Sequence, residues 1–219
     1  LGNFKTVDEV KNTLESVWIW GDLIPQIQQV PLIHISIHDK TGKSGVIEFI
    51  KGRVKFYENK IGVVTNEPRF KRHLDLVRQF GCVSNTNPPN TTINGYEINN
   101  YQETGMVGLP GDWSSSSRFV RIAKILQFST PGSDPVSNIF QGARILDSVY
   151  IQPGTANVQF NNQTCPLSTQ WTTSCDLENN IFYWRSSDLV FRSIDLNAVD
   201  FSPEAPHQPI PVKPVTPVI

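Results

Sequence analysis

Residues 32–58 run LIHISIHDKTGKSGVIEFIKGRVKFYE. Ile33, Ile35 and Ile37 alternate with His34, Ser36 and His38, the period of a strand with two unlike faces. The turn residues DKTG at 39–42 separate this run from GVIEFI, and Lys51-Gly52 separates GVIEFI from RVKFYE, so the stretch predicts two consecutive hairpins. Towards the amino end, Thr6-Val7-Asp8-Glu9 has the Thr-x-x-Glu form of a capping box, and Val7, Val10, Leu14, Val17 and Trp18 recur at helical spacing. A helix over 6–19 is the expectation.

Towards the carboxyl end, IGVVT at 61–65 predicts a short strand that runs into Asn66. Pro68 and the spacing of Phe70, Leu74 and Val77 then predict a helix to about Phe80. Ser84–Tyr101 is crowded with Asn, Pro and Thr and predicts a long surface loop. Amphipathic helices are expected over 114–128 and 135–149, and strands near 168–176, 180–185 and 189–196. The final stretch, 201–219, carries six of the sixteen prolines and predicts an extended arm, either frayed or laid over a neighbouring subunit. Residues 1–200 are expected to belong to one domain. The order helix, strands, helices, strands predicts an α+β fold of antiparallel sheets covered by helices.

Composition narrows the function. With 38% hydrophobic residues and 18% charged, the 219-residue chain has enough apolar surface for a core. Nineteen Lys and Arg against twenty Asp and Glu leave no basic excess for a nucleic-acid partner. No apolar run approaches the roughly 20 residues of a membrane-spanning helix. Cys82 is expected to pack as an apolar residue, while Cys165 and Cys175 fit either a bridge or two free thiols. There is no CxxC or HExxH, and His34, His38, His73 and His207 do not cluster with the cysteines, so no zinc site is expected.

Two local sequences invite chemistry. In GLPGDWSSSSRF (108–119), Gly108, Pro110 and Gly111 punctuate a turn, Asp112 and four serines supply capping oxygens, and Arg118 enters the helix about a turn later. A helix start disfavours a cation, so Arg118 needs a partner outside the helix, either a site or an ordinary Asp or Glu. In VVTNEPRF (63–70), Asn66 stands at a strand-to-helix corner, where its amide can donate into a cleft or act as a cap or turn former.

Together with the DKTGKSGVIEFIKGRVKFYEN hairpins and DLENNIFYWRSSDLVFRSIDL, the strings GVVTNEPRF and GLPGDWSSSSRFVR closely resemble the choloylglycine hydrolase and penicillin V acylase family. The resemblance covers nearly the whole chain apart from the Pro-rich arm. It implies the four-layer αββα sandwich of the N-terminal nucleophile hydrolases and the hydrolysis of linear amides. In that family an N-terminal cysteine is the nucleophile and its own α-amine the base. By the same resemblance, Asn66 matches the asparagine of the oxyanion hole, and Arg118 matches the arginine beside the nucleophile. Small-molecule amides with an apolar acyl group, of the bile-salt or penicillin V type, are the implied substrates. A homo-oligomer is implied, and no cofactor, since thiol, amine and hydrogen-bond donors suffice for acyl transfer.

The departure lies at position 1. Leu1 stands at the amino terminus, and Cys82, Cys165 and Cys175 do not match the nucleophile's surroundings. The expectation is therefore that this chain is the C-terminal portion of a subunit, with the nucleophilic Cys on an N-terminal segment outside it. Any export signal would precede that cysteine, so the compartment stays open; a periplasmic or secreted setting would suit a Cys165–Cys175 bridge. The competing reading is a non-catalytic binding protein that kept the scaffold.

Overall fold

The computed structural model describes residues 2–25, 28, 30, 33–160, 162–206 and 208–211, with backbone alone at Phe160. The expected start of the first strand at Leu32, His207 and the last part of the arm lie outside the described residues. The chain divides into two compact units, Leu1–Ser129 and Thr130–Ile219.

The first unit is built on the stretch quoted above. Strands β1 (His34–His38), β2 (Ser44–Ile50) and β3 (Arg53–Glu58) form an antiparallel sheet in the order β1-β2-β3. The β2–β3 turn is made by Lys51 and Gly52, both at positive φ (50° and 72°), as a tight hairpin with right-handed strands requires. Its register pairs Ile35 with Ile47 and Ile47 with Phe56, so these residues share one face. That face packs on α1 (Val7–Thr13) through Val7, Val10, Ile37 and Ile47. Gly45 belongs to the same face, where a Cβ would come within 2.5 Å of the Phe56 ring.

The opposite face, carrying Val46, Glu48, His34 and Tyr57, is also covered. Tyr57 meets Phe70 at 5.9 Å between ring centroids, and Phe70 meets Phe119 at 6.1 Å. These rings belong to α2 (Phe70–Val77) and α3 (Ser115–Phe128). On β1 this face is interior at His34, while Ser36 and His38 further along it are exposed.

The capping box forms at Thr6 and Glu9, but the helix closes early: α1 is followed by a 3-10 turn at Leu14–Ser16, and Trp18 and Trp20 are exposed. Thr13 and Ser16 turn their hydroxyls back onto the Glu9 and Thr13 carbonyls, and Val17-Trp18-Ile19-Trp20 is a run of poor helix formers. IGVVT takes no strand pairing; its apolar pattern reports burial, which Val63 fulfils, and burial does not require a ladder. The expected loop at 84–101 holds a small hairpin, β4 (Thr91–Ile93) and β5 (Tyr96–Ile98), turned by Asn94-Gly95 at φ 49° and 83°. Cys82 is exposed, not packed, and all three cysteines are free thiols.

In the second unit, α4 (Pro135–Asp147) packs on the antiparallel sheet of β8 (Thr172–Asp176), β9 (Ile181–Arg185) and β10 (Arg192–Asp195). A hairpin not foreseen in the sequence, β6 (Ala156–Phe160) and β7 (Gln163–Leu167), precedes them. Ile210, from the arm, lines a hollow of about 490 Å³ with Trp171, Phe182, Trp184 and Ile194. Mixed helices and antiparallel sheets make the chain α+β, as the order of elements predicts.

Candidate active site

Two loops meet at the start of α2 and α3. The first carries Thr65 and Asn66 out of the buried Val63, and the second carries Asp112 to Ser115 into α3. Ser115 joins them: its hydroxyl lies 2.9 Å from the Asn66 carbonyl and 3.0 Å from Thr65 Oγ1, and the Thr65 hydroxyl donates to the Ser115 carbonyl at 3.2 Å. Fifty residues of chain are thus closed by a short polar seam. Below it, the buried Phe70 and Phe119 rings hold the two helices together.

Asn66 and Arg118 come together at this seam. Arg118 Nη2 donates to Asn66 Oδ1 at 2.8 Å, and its Nε donates to the Trp113 carbonyl at 3.1 Å. A guanidinium has only donors, so it must take the amide's oxygen, which leaves the Nδ2 end of Asn66 free to donate elsewhere. Arg118 has no carboxylate partner among the described residues, so the ordinary ion pair that was its alternative does not form. Burial, with Arg121 nearby, pulls its pKa below the usual guanidinium value. A cation held half-buried at a helix start, against both the dipole and a like charge, stabilises negative charge placed beside it.

The neighbouring residues fix the α3 loop. Ser114 caps α3 by accepting from the Ser117 N–H, and Asp112 accepts from the Ser114 N–H at 2.9 Å and the Ser117 hydroxyl at 2.5 Å. Bonds to the Ser114 and Ser117 hydroxyls hold the Asp112 pKa down to about 2. Arg121, 8% exposed, donates to the Pro110 and Asp112 carbonyls and lies 5.5 Å over the Trp113 ring. Underneath, His73 stacks on Phe119 at 4.7 Å, fully buried. Its pKa is lowered to about 4, first by burial and then by His34 and Arg118.

The sequence singles out Asn66 and Arg118, which the structure brings together, but not Ser115, which reads there as one capping oxygen among four. Nor does it single out Glu48 and His73, both buried below the seam, which sit in otherwise regular elements and carry no local signal. A groove of about 540 Å³ is lined by Ile19, Ile24, Val30, Ile33 and Phe49, with Glu48, Arg53, Arg69 and Glu67, the residue after Asn66, among its polar groups. Among the described residues no group of three or more His, Cys, Asp or Glu could hold a metal ion, and no helix is long and apolar enough to cross a membrane.

Comparison with known proteins gives this geometry a context. The chain is 33% identical to the bile salt hydrolase/transferase of Lactiplantibacillus plantarum over 90% of its own length, and 30% identical to that of Clostridium perfringens over 93%. It spans 60% of the length of each of these relatives. A crystal structure of a mutant conjugated bile acid hydrolase from Clostridium perfringens superposes with a TM-score of 0.76 at 30% identity, covering 91% of this chain and 60% of that one. The antiparallel α+β arrangement is therefore that of the N-terminal nucleophile hydrolases, as expected. The family model for linear amide C-N hydrolases matches residues 1–206, and the chain belongs to that choloylglycine hydrolase family.

Proposed function

We propose that the chain is the larger part of a hydrolase of linear amides, with Asn66 donating to the oxyanion and Arg118 beside a cysteine nucleophile that lies on an N-terminal segment outside it. The observation that carries this reading is the Arg118–Asn66 hydrogen bond at 2.8 Å, made across 52 residues of sequence by two side chains matched to the family independently. The bond spends the acceptor end of the amide and leaves its donor end free, as an oxyanion hole needs. With that segment, residues 1–200 form one domain and 201–219 an arm.

The proposed reaction begins with transfer of the thiol proton to the cysteine's own α-amine. The thiolate attacks the amide carbonyl carbon, and the C=O electron pair moves to oxygen, where Asn66 Nδ2–H stabilises it. The guanidinium of Arg118 favours the thiolate over the thiol by charge. Collapse expels the amine, which takes the proton from the ammonium; water then attacks the thioester and releases the acid. The groove that includes Glu67 has the volume, and in Ile19, Ile24, Val30, Ile33 and Phe49 the apolar side chains, to take an acyl part, which supports an N-acyl amide with an apolar acyl group as substrate. A homo-oligomer belongs to the same reading.

The test uses the complete protein, with whatever segment precedes residue 1. Release of amine from conjugated bile salts, penicillin V and N-acyl amino acids is expected for at least one of them, and a thiol-alkylating reagent should abolish it. Asn66→Ala should lower kcat by about 10²- to 10³-fold, the cost of a lost oxyanion donor. Hydrolysis that survives alkylation, or an Asn66→Ala variant as fast as the parent, refutes the reading; binding without any hydrolysis points to the non-catalytic alternative.

A further inference from the structure

Asn66 must be held still for its amide to meet a developing charge, and the hydrogen bonds at the seam account for only one side of its loop. The other side is the start of α2, four residues on. There the N-cap residue, Arg69, makes no side-chain cap. The Phe70 N–H is instead taken by Glu48 Oε1 at 2.6 Å, reaching up from the middle of β2. Glu48 is 2% exposed and its other oxygen, Oε2, has no hydrogen-bond partner among the described residues. Its register neighbour on β1, His34, places Nδ1 3.2 Å from the same Oε1.

A carboxylate in this place is costly unless it does something. Burying it with one oxygen unpaired is unfavourable, and a hydrophobic residue would fill the sheet at least as well. What only an acceptor on β2 supplies is a fixed point between the sheet and the α2 start, where a negative side chain also suits the helix dipole. We infer that Glu48 is a positioning residue for the amide hydrolysis proposed above, acting through the Phe70 N–H to set the height of Asn66 over the sheet. The inference rests on that reading of the site. Glu48 touches no reacting atom; its effect passes through the 66–70 backbone.

The test compares Glu48→Gln and Glu48→Ala in the complete protein. Gln keeps an oxygen acceptor for the Phe70 N–H, and its amide takes the place of the unpaired oxygen. Glu48→Gln, which keeps the acceptor and the volume, is expected to stay within about 3-fold of the parent, and Glu48→Ala to lose kcat by about 10- to 100-fold, the mark of a misplaced group that acts mainly in the transition state. Hydrogen exchange at the Phe70 amide should rise in Glu48→Ala and not in Glu48→Gln. A purely structural role would lower melting temperature in the Ala variant but leave kcat of the folded enzyme unchanged well below it, and that outcome overturns the inference, as does unchanged exchange at Phe70. If the parent itself hydrolyses no amide, the functional reading fails, and the exchange measurement still decides whether Glu48 holds the loop.

Discussion

Helices α3 and α4 are 14 and 13 residues long, and each opens on a polar side chain that accepts from a backbone N–H three residues on, Ser114 from Ser117 and Asp134 from Ser137. Past the cap they differ. In α4 the first turn closes on itself: Ser137 Oγ accepts from the Asp134 N–H, Pro135 takes the first helical position, and the basic Arg144 sits in the last turn, where the dipole favours it. In α3 the first turn faces outward: Ser115 bonds to Thr65 and Asn66, and Arg118 puts a cation near the positive end of the dipole. At its start α4 keeps to the rules of capping and charge, and α3 breaks one where side chains from distant sequence converge. Such a break marks a place where something other than stability has been selected.

The sharpest way to break that comparison is to remove the offending cation. Arg118→Ala in the complete protein should lower amide hydrolysis by about 10- to 100-fold, the worth of a charged hydrogen bond in the transition state, while leaving denaturant stability within about 1 kcal/mol or raising it. Arg144→Ala should do the reverse, leaving hydrolysis unchanged with a stability loss of a few tenths of a kcal/mol. Kinetics and urea unfolding on both variants decide it. Should Arg118→Ala destabilise strongly and hydrolyse normally, the arginine is a strut and the α3 start has no special standing.

The same contrast explains what is legible in the sequence alone. Asn66 and Arg118 sit where turn residues, a proline and a cap interrupt regular patterns, so each stands out locally, and the resemblance to a family is what suggests the roles proposed for them. Their pairing did not follow from either string, because nothing in 63–70 refers to 108–119; only the Phe70–Phe119 packing and the Ser115 seam bring them together. Helices α3 and α4 were readable because apolar period and cap agree. The tail of α1 was not, because apolar spacing through Val17 and Trp18 concealed a run of residues that resist helix. The Asn94-Gly95 turn was a hairpin signal hidden in a polar stretch; Glu48 was invisible because strand alternation predicts two faces without saying that both are covered, and His73 because Phe70, Leu74 and Val77 mark the apolar face of α2 without it.

Burial of polar groups gives a second contrast, and a second test. In the β8–β10 unit, Arg185 is 7% exposed and finds Asp147 and the Ala143 carbonyl, the partners a buried charge requires. His73 is fully buried with neither ring nitrogen hydrogen-bonded among the described residues, which suits only a neutral imidazole. Its folded pKa of about 4 lies below the ordinary 6.5, so between these values the unfolded chain takes up a proton that the folded chain refuses. Stability from this group is full above pH 6.5 and falls as pH drops towards 4, by about 2–3 kcal/mol. Urea unfolding at pH 7 and pH 4.5 should show that loss in the parent, and His73→Phe, which keeps the stack on Phe119, should remove it. Equal pH slopes in the two proteins would mean that the folded state accommodates the imidazolium.

The smallest effect returns to the two caps. If α3 and α4 differ in purpose and not in how they start, Ser114→Ala should cost about 1 kcal/mol, and Asp134→Ala should lower thermal stability comparably, because each removes one acceptor from an orphaned N–H at the same position. The two should part in activity. Ser114 also takes part in the Asp112–Ser117 cluster that fixes the Trp113 carbonyl, and that carbonyl accepts from Arg118 Nε, so its loss loosens the guanidinium and slows hydrolysis several-fold. The bonds of Asp134 run to Ser133 and within the α4 start, so its replacement should leave kcat untouched. Matching losses of rate in both variants would show that hydrolysis follows overall stability, and the distinction between a helix start that serves the fold and one that serves the site would then have no support.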